Sequence, residues 1–294
     1  MKKKSLLILS IACSAFAAKA QTPVNPHPYD TLKWHSNNPD TVLAIGRILF
    51  LKRRSKTDTS ESSVVVVDKN PVNSRFRTSW LAFDIGFSNF KDETNYAAPN
   101  DYLFNRAGAT ALDAADFKPK LGKSMNVNIW FVMQELRLIK NNVNLKYGVG
   151  VELNNYRFKS AVSFKETSNL PGTSTFMNKP FAFRDSISFS KNKLALDYIT
   201  VPLMINFSDN GGKYFASLGI SAGYLYSQRN KQKSMERGKQ KNKGDYDFEK
   251  FKVSYIGEIG MDNISLYGSY SPKNMMSRGM VWKPYTVGFR LNFL

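Results

Sequence analysis

From Ser79 onward the chain alternates apolar and small polar residues at a period of two, which predicts β-strands with one apolar face each. The first run sets Leu81, Phe83, Ile85 and Phe87 against Ala82, Asp84, Gly86 and Ser88. The second sets Val127, Ile129, Phe131 and Met133 against Asn126, Asn128, Trp130 and Gln134, with a bulge expected near Glu135. In the third, Val143, Leu145, Tyr147, Val149, Val151 and Leu153 alternate with Asn144, Lys146, Gly148, Gly150, Glu152 and Asn154. Five more runs carry Ile199 to Phe207, Tyr214 to Tyr226, Phe251 to Tyr255, Ile264 to Tyr270, and Tyr285 to Phe293. Runs of about ten residues match the length of a tilted strand crossing an outer membrane.

Alternation alone also fits a soluble sandwich or a lipocalin-like barrel, so sidedness needs other evidence. The polar faces are mostly Gly, Ser, Ala, Asn and Thr with few charges, which suits the packed lumen of a narrow barrel better than a surface bathed in water. Connections alternate between short (residues 140–142, 208–212 and 262–263) and long (91–124, 161–193, 230–246 and 272–282). Short periplasmic turns, long extracellular loops and both termini on one side require an even strand number, here eight. Phe76, Trp80, Phe207, Tyr214 and Phe293 are expected at the periplasmic rim, and Phe87, Phe90, Tyr156, Tyr198, Tyr226, Tyr255 and Tyr285 at the outer rim, as interfacial girdles. The fold class expected is therefore all-β, a transmembrane antiparallel up-and-down β-barrel of eight strands over residues 77–294.

Ahead of the barrel, Lys2, Lys3 and Lys4 precede an apolar stretch ending at Ala18-Lys19-Ala20, the order of a secretory signal peptide spanning residues 1–20. A second reading lipidates Cys13; cleavage after Ala20 would instead remove this single cysteine, excluding disulfides and thiolate metal sites. Residues 21–76 read as a largely flexible periplasmic segment, opening on Pro23, Pro26 and Pro28. Within it, 41–51 fits either a helix or a strand, and 64–67 fits a short strand. Outside the leader no apolar run reaches the roughly 18 to 20 residues of a spanning helix. A net charge of +19 on a chain destined for the cell surface points to anionic lipid or lipopolysaccharide before nucleic acid.

Three stretches then resemble the PorT-like outer-membrane β-barrel family. They are Tyr198-Ile199-Thr200-Val201-Pro202-Leu203-Met204-Ile205, Gly219-Ile220-Ser221-Ala222-Gly223, and the closing Gly288-Phe289-Arg290-Leu291-Asn292-Phe293. The resemblance covers roughly residues 78–294. It implies an outer-membrane location and, for some members, help to envelope or secretion machinery.

Candidate chemistry is sparse. Asp84, Lys146, Glu152, Lys252, Glu258 and Arg290 are expected to face the lumen as three acids and three bases, where charges must pair or be very costly. Structural plugging is the economical reading and an ion or solute pathway the alternative. Arg229, Lys231, Lys233, Arg237, Lys239, Lys241 and Lys243 crowd one connection with only Glu236 among them. The bland reading there is a mobile solvated loop, and the functional one is contact with lipopolysaccharide phosphates. Its lack of interleaved aromatics speaks against nucleic acid. His27 and His35 both precede the barrel, too far from the loops for a Ser-His-acid constellation and without a third metal ligand at suitable spacing. No catalytic, cofactor or metal residue is assigned. The expected role is non-enzymatic: binding, structural support or help to an export machine. The alternatives are an outer-membrane hydrolase using loop carboxylates such as Asp113 and Asp116, and a soluble barrel holding an apolar ligand.

Overall fold

A computed structural model describes residues 41–45, 48–52, 62–66, 75–139, 142–209 and 211–292. The expected leader with Cys13, as well as His27, His35 and Phe293, lies outside the described residues. Three short strands, Thr41–Ile45, Ile48–Lys52 and Ser62–Val66, hydrogen-bond in sequence order into a sheet of their own, which resolves the helix-or-strand choice at 41–51.

The main sheet holds eight long strands: β1 (Phe76–Asp92), β2 (Met125–Ile139), β3 (Val143–Arg157), β4 (Lys191–Ser208), β5 (Tyr214–Ser234), β6 (Phe251–Met261), β7 (Ile264–Tyr270) and β8 (Trp282–Asn292). Each pairs antiparallel with the next, and β8 pairs back onto β1, so the ring closes without a free edge. Closure satisfies every ladder within the wall, which hydrocarbon demands of any strand crossing it.

Side chains settle the sidedness. Phe83, Ile85 and Phe87 on β1, Ile199, Val201 and Leu203 on β4, and Val287 and Phe289 on β8 point outward and are exposed. Their neighbours Asp84, Ser88, Thr200, Thr286 and Arg290 point inward and are buried. An apolar exterior around a polar interior is the arrangement lipid requires, and it rules out the soluble barrel with an apolar lumen. Gly86 and Gly288 are register partners on the inner wall. A Cβ on Gly86 would fall 2.9 Å from the Tyr267 hydroxyl, so these two glycines make room for that ring to lie along the inner wall from the neighbouring strand β7.

Several irregularities re-aim residues. In β5 Tyr226 is skipped between the pairs Asp197–Ser227 and Tyr198–Leu225, which brings Arg229, Lys231 and Lys233 to the same outward side as Tyr226. Leu81 takes φ +57° and is skipped between the pairs Trp80–Val132 and Ala82–Trp130, so Trp80 and Leu81 both face outward. In place of the one bulge expected near Glu135, β2 shifts register on either side of it, at Phe131 between Trp130 and Val132 and at Leu138 between Arg137 and Ile139. The Phe131 bulge turns Met133 inward, where it packs with Ala82 and Trp130.

The long connections are built rather than solvated. Phe117, Phe158, Phe164, Tyr246, Phe248, Met275 and Met276 join Phe90, Tyr156, Tyr198 and Trp282 in one buried cluster over the loop end of the barrel. Trp282 stacks on Phe90 at 4.3 Å between centroids, and Phe117 tilts against Trp282 at 5.4 Å. Phe90, Tyr156 and Tyr198 therefore leave the outer girdle assigned to them: Tyr156 is 1% exposed, against 46% for Tyr226. Phe87, Tyr226, Tyr255 and Tyr285 do face outward at that end, and Phe76, Trp80, Phe207 and Tyr214 do so at the other.

Candidate functional site

Inside the wall the six lumenal charges meet in one continuous network. Arg290 on β8 donates from Nε to Asp84 Oδ1 at 2.7 Å and from Nη2 to Asp84 Oδ2 at 2.8 Å, a bidentate fork. Its Nη1 reaches Glu258 Oε2 at 2.5 Å, and Glu258 also accepts from Lys146 Nζ and from Ser217 Oγ. Asp84 further accepts from Asn128 Nδ2 at 2.9 Å and Trp130 Nε1 at 2.8 Å. Asn126 carries the chain onward, donating to Asn128 and Asn154 and accepting from the Tyr267 hydroxyl. Asn154 donates to Glu152, which also pairs with Lys252 and accepts from Thr200 Oγ1 at 3.4 Å. All eight strands contribute a member, and three acids balance three bases. The Arg290 guanidinium also lies over the Trp130 ring at 5.2 Å, so its open face is occupied as well.

The lumen is accordingly filled at the level of this network. A space of about 30 Å³ beside Arg290, Glu152 and Glu258 has room for about one or two waters. A wider vestibule of about 440 Å³ opens at the short-turn end, lined by Arg77, Glu135, Arg137 and Asp262, with Lys146 in its wall. The aromatic cluster lies at the other end.

The loop acids named above as candidate catalysts are engaged in structure. Asp116 pairs with Arg184, whose Nη1 also donates to Thr110 O at 3.0 Å. Asp113 Oδ1 accepts from the backbone N–H of Ala115 at 2.8 Å and of Asp116 at 3.3 Å. No group of three or more metal-ligating side chains occurs among the described residues.

The basic segment is not a loose loop. Arg229, Lys231 and Lys233 belong to β5, which runs on past the apolar belt, and Lys239, Lys241 and Lys243 belong to a short strand, Gly238–Lys243, folded back on it. Residues directly opposite across an antiparallel pair share a face, so register decides what the surface presents. Lys193 opposes Arg157 on one side and Lys231 on the other, and Lys231 opposes Lys241. Next to that row, Lys191 opposes Lys233 and Lys233 opposes Lys239; on its other flank Arg229 opposes Lys243. Nine cations thus share one outward face. Among the described residues the only carboxylate paired with any of them is Asp197, on Arg229. Burial, reinforced by the charges of Lys231, Lys191, Arg157 and Arg229, pulls the Lys193 amine down to about 8. Arg237 stands apart, since its guanidinium binds Asp185 at 2.8 Å. Arg157, Lys191 and Lys193 were absent from the candidates named from sequence. Their signal was present, because each continues the outward parity of its strand.

On the underside Asn192 Nδ2 donates to Ser160 O at 2.9 Å and to Val162 O at 2.6 Å, and Gln232 Nε2 donates to Ser163 Oγ at 2.7 Å. These bonds fix the basic sheet to the loop structure beneath it.

A closed eight-stranded ring with an apolar exterior and a charge-balanced interior defines an outer-membrane barrel. The family model described as outer membrane protein beta-barrel domain matches residues 81–272, and the chain belongs to that family. Among solved structures the chain is similar to Ail, the attachment invasion locus protein of Yersinia pestis, determined in complex with the heparin analogue sucrose octasulfate. Identity is 14%, the match covers 74% of this chain and 98% of that one, and the TM-score is 0.31. No match was found among curated protein sequences.

Proposed function

We propose that the protein is a sealed, surface-exposed binding scaffold whose loop end contacts anionic groups of outer-leaflet lipopolysaccharide. The observation that carries this reading is the outward cation face on β4, β5 and the strand Gly238–Lys243, which starts just beyond the lipid-facing Tyr224 and Tyr226. Arg229, Lys231, Lys233, Lys239, Lys241 and Lys243 make the contact, Arg229 while also paired with Asp197, and Arg237 lies off the face, bound to Asp185. A filled lumen and a packed loop core support a scaffold over a conduit, and engaged loop carboxylates support binding over hydrolysis. Export by residues 1–20 and a periplasmic placement of 21–76 complete the picture. The narrower placement among PorT-like barrels, and the secretion-assisting role that goes with it, rest on the sequence resemblance alone.

The test is co-purification. Barrels extracted from lipopolysaccharide-bearing membranes in mild detergent, with magnesium present, should carry bound lipopolysaccharide, and neutralising all six residues should strip it. Equal retention by the wild type and the six-fold variant refutes the assignment.

A further inference from the structure

The outward cation face carries information about the chemistry of its ligand, an inference that rests on the reading just given.

Its centre is a row of four, Arg157–Lys193–Lys231–Lys241, each the direct register partner of the next. Strand spacing of about 4.8 Å sets the pitch, so the row is about 14 Å long and perpendicular to the strands. Like charges directly opposite one another weaken a sheet. Here the penalty repeats three times along the row, while Asn192 and Gln232 hold the sheet down from beneath, so the cations cannot splay apart. An array of fixed, mutually repelling cations is relieved by an anion that bridges neighbours, and a ligand with several closely spaced anionic groups relieves it most.

Height narrows the source. Arg229 lies three residues beyond the lipid-facing Tyr226 and Lys231 five, or about 10 and 16 Å along a tilted strand. The face therefore rises from headgroup level into the first sugars of a glycolipid standing beside the barrel. Phosphates and acidic sugars crowded at that level repel one another unless cations bridge them, a task that free divalent ions can perform. The face offers cations in fixed positions, and its single paired carboxylate, Asp197, is occupied by Arg229.

We infer that the row Arg157–Lys193–Lys231–Lys241 replaces divalent metal as the bridge between anionic groups of one or more lipopolysaccharide molecules packed against the barrel. Metal-independent retention of a multiply charged glycolipid is the distinguishing property. The half-buried Lys193 amine, pulled down first by burial and then by its cationic neighbours, gains most from an anion opposite it.

The experiment uses the full-length protein extracted from lipopolysaccharide-bearing membranes in magnesium, washed with EDTA and assayed for bound glycolipid phosphate. Wild type should keep its lipopolysaccharide through the EDTA wash. The triple variant Lys193→Gln, Lys231→Gln, Lys241→Gln should hold it in magnesium but lose it in EDTA, with an affinity roughly a hundredfold weaker from three lost surface cations. The charge-preserving Lys193→Arg, Lys231→Arg, Lys241→Arg variant should behave as wild type, and heat-modifiable gel mobility reports whether each variant is folded. If EDTA strips the wild type as completely as the glutamine variant, the metal-replacement idea is wrong while lipopolysaccharide binding stands. If the wild type carries no glycolipid even in magnesium, the underlying reading falls as well. Binding to vesicles of singly charged phosphatidylglycerol as tight as to lipopolysaccharide would also overturn the inference.

Discussion

Replacing Arg290 with Met tests whether the lumenal network holds the barrel together or merely fills it. Arg290 gives two bonds to Asp84, at 2.7 and 2.8 Å, and one to Glu258 at 2.5 Å. Methionine fills part of the volume, but the lumen passes from neutral to one net negative charge. Breaking a buried pair by deleting one partner costs about 3–5 kcal/mol. The lower end applies here, because Asp84 keeps Asn128 and Trp130, and Glu258 keeps Lys146 and Ser217. A loss of about 3 kcal/mol is therefore expected. Arg290→Lys keeps the charge but not the fork and should cost about half as much. Adding Asp84→Asn to Arg290→Met restores neutrality and should recover at least 1 kcal/mol, or about that, as a coupling between neighbours. Urea titration followed by heat-modifiable mobility gives the midpoint, and fluorescence of Trp130, stacked under the guanidinium, reports the local change. An Arg290→Met barrel within about 0.5 kcal/mol of wild type, the scatter of ordinary surface changes, refutes the reasoning. So does a double variant no more stable than the single one.

Trp282→Ala should cost about 3–5 kcal/mol, confined to the loop end, so that protease cuts within 93–124 and 158–190 while the barrel keeps its heat-shifted band; simultaneous loss of both would contradict a separately packed cap. Gly279 holds φ +87°, and a Cβ there would sit 2.4 Å from Tyr102 Cβ, whereas Gly108, at φ +77°, faces open space. Gly279→Ala should therefore loosen the cap by more than the roughly 1 kcal/mol of the left-handed conformation that Gly108→Ala also meets, and equal protease sensitivity in the two would discount the Tyr102 contact. Lys193 titrates near 8 in the folded chain against 10.5 when free. The unfolded state thus binds more protons between those values, and protection of the basic strands from amide exchange should increase as pH rises from 8 to 10.5. Lys193→Gln should remove that gain; an unchanged pH profile in the variant would assign it to another group.

The eight strands were legible because lipid on one side and a filled lumen on the other impose alternation along every strand, and each short turn falls where the pattern breaks. The Phe131 bulge was not. Trp130, Phe131, Val132 and Met133 are all apolar, so the switch of faces left no polar residue out of place. The girdle errors have a different origin. Phe90 shares the parity of Asp84, Tyr156 that of Lys146, and Tyr198 that of Thr200, so all three turn inward; their closeness to the rim misled where parity would have decided. The six lumenal charges could be named from parity, but not who pairs with whom, because partners such as Lys146 and Glu258 sit on strands that are not neighbours in the ring. The loop core left a compositional trace in Phe117, Phe158, Phe164 and Phe248, residues a solvated loop has little use for. Which ring meets which depends on chain closure, and no local pattern records that.

Trp282 is the first residue of β8, pairs with Asp92 on β1, and stacks on Phe90 of the same strand. The central aromatic of the cap is thus delivered by the seam that shuts the ring. The packing of the loops and the closing of the wall therefore share one residue: with β8 unpaired from β1, the cap lacks its central ring, so an intact cap is a mark of a closed barrel.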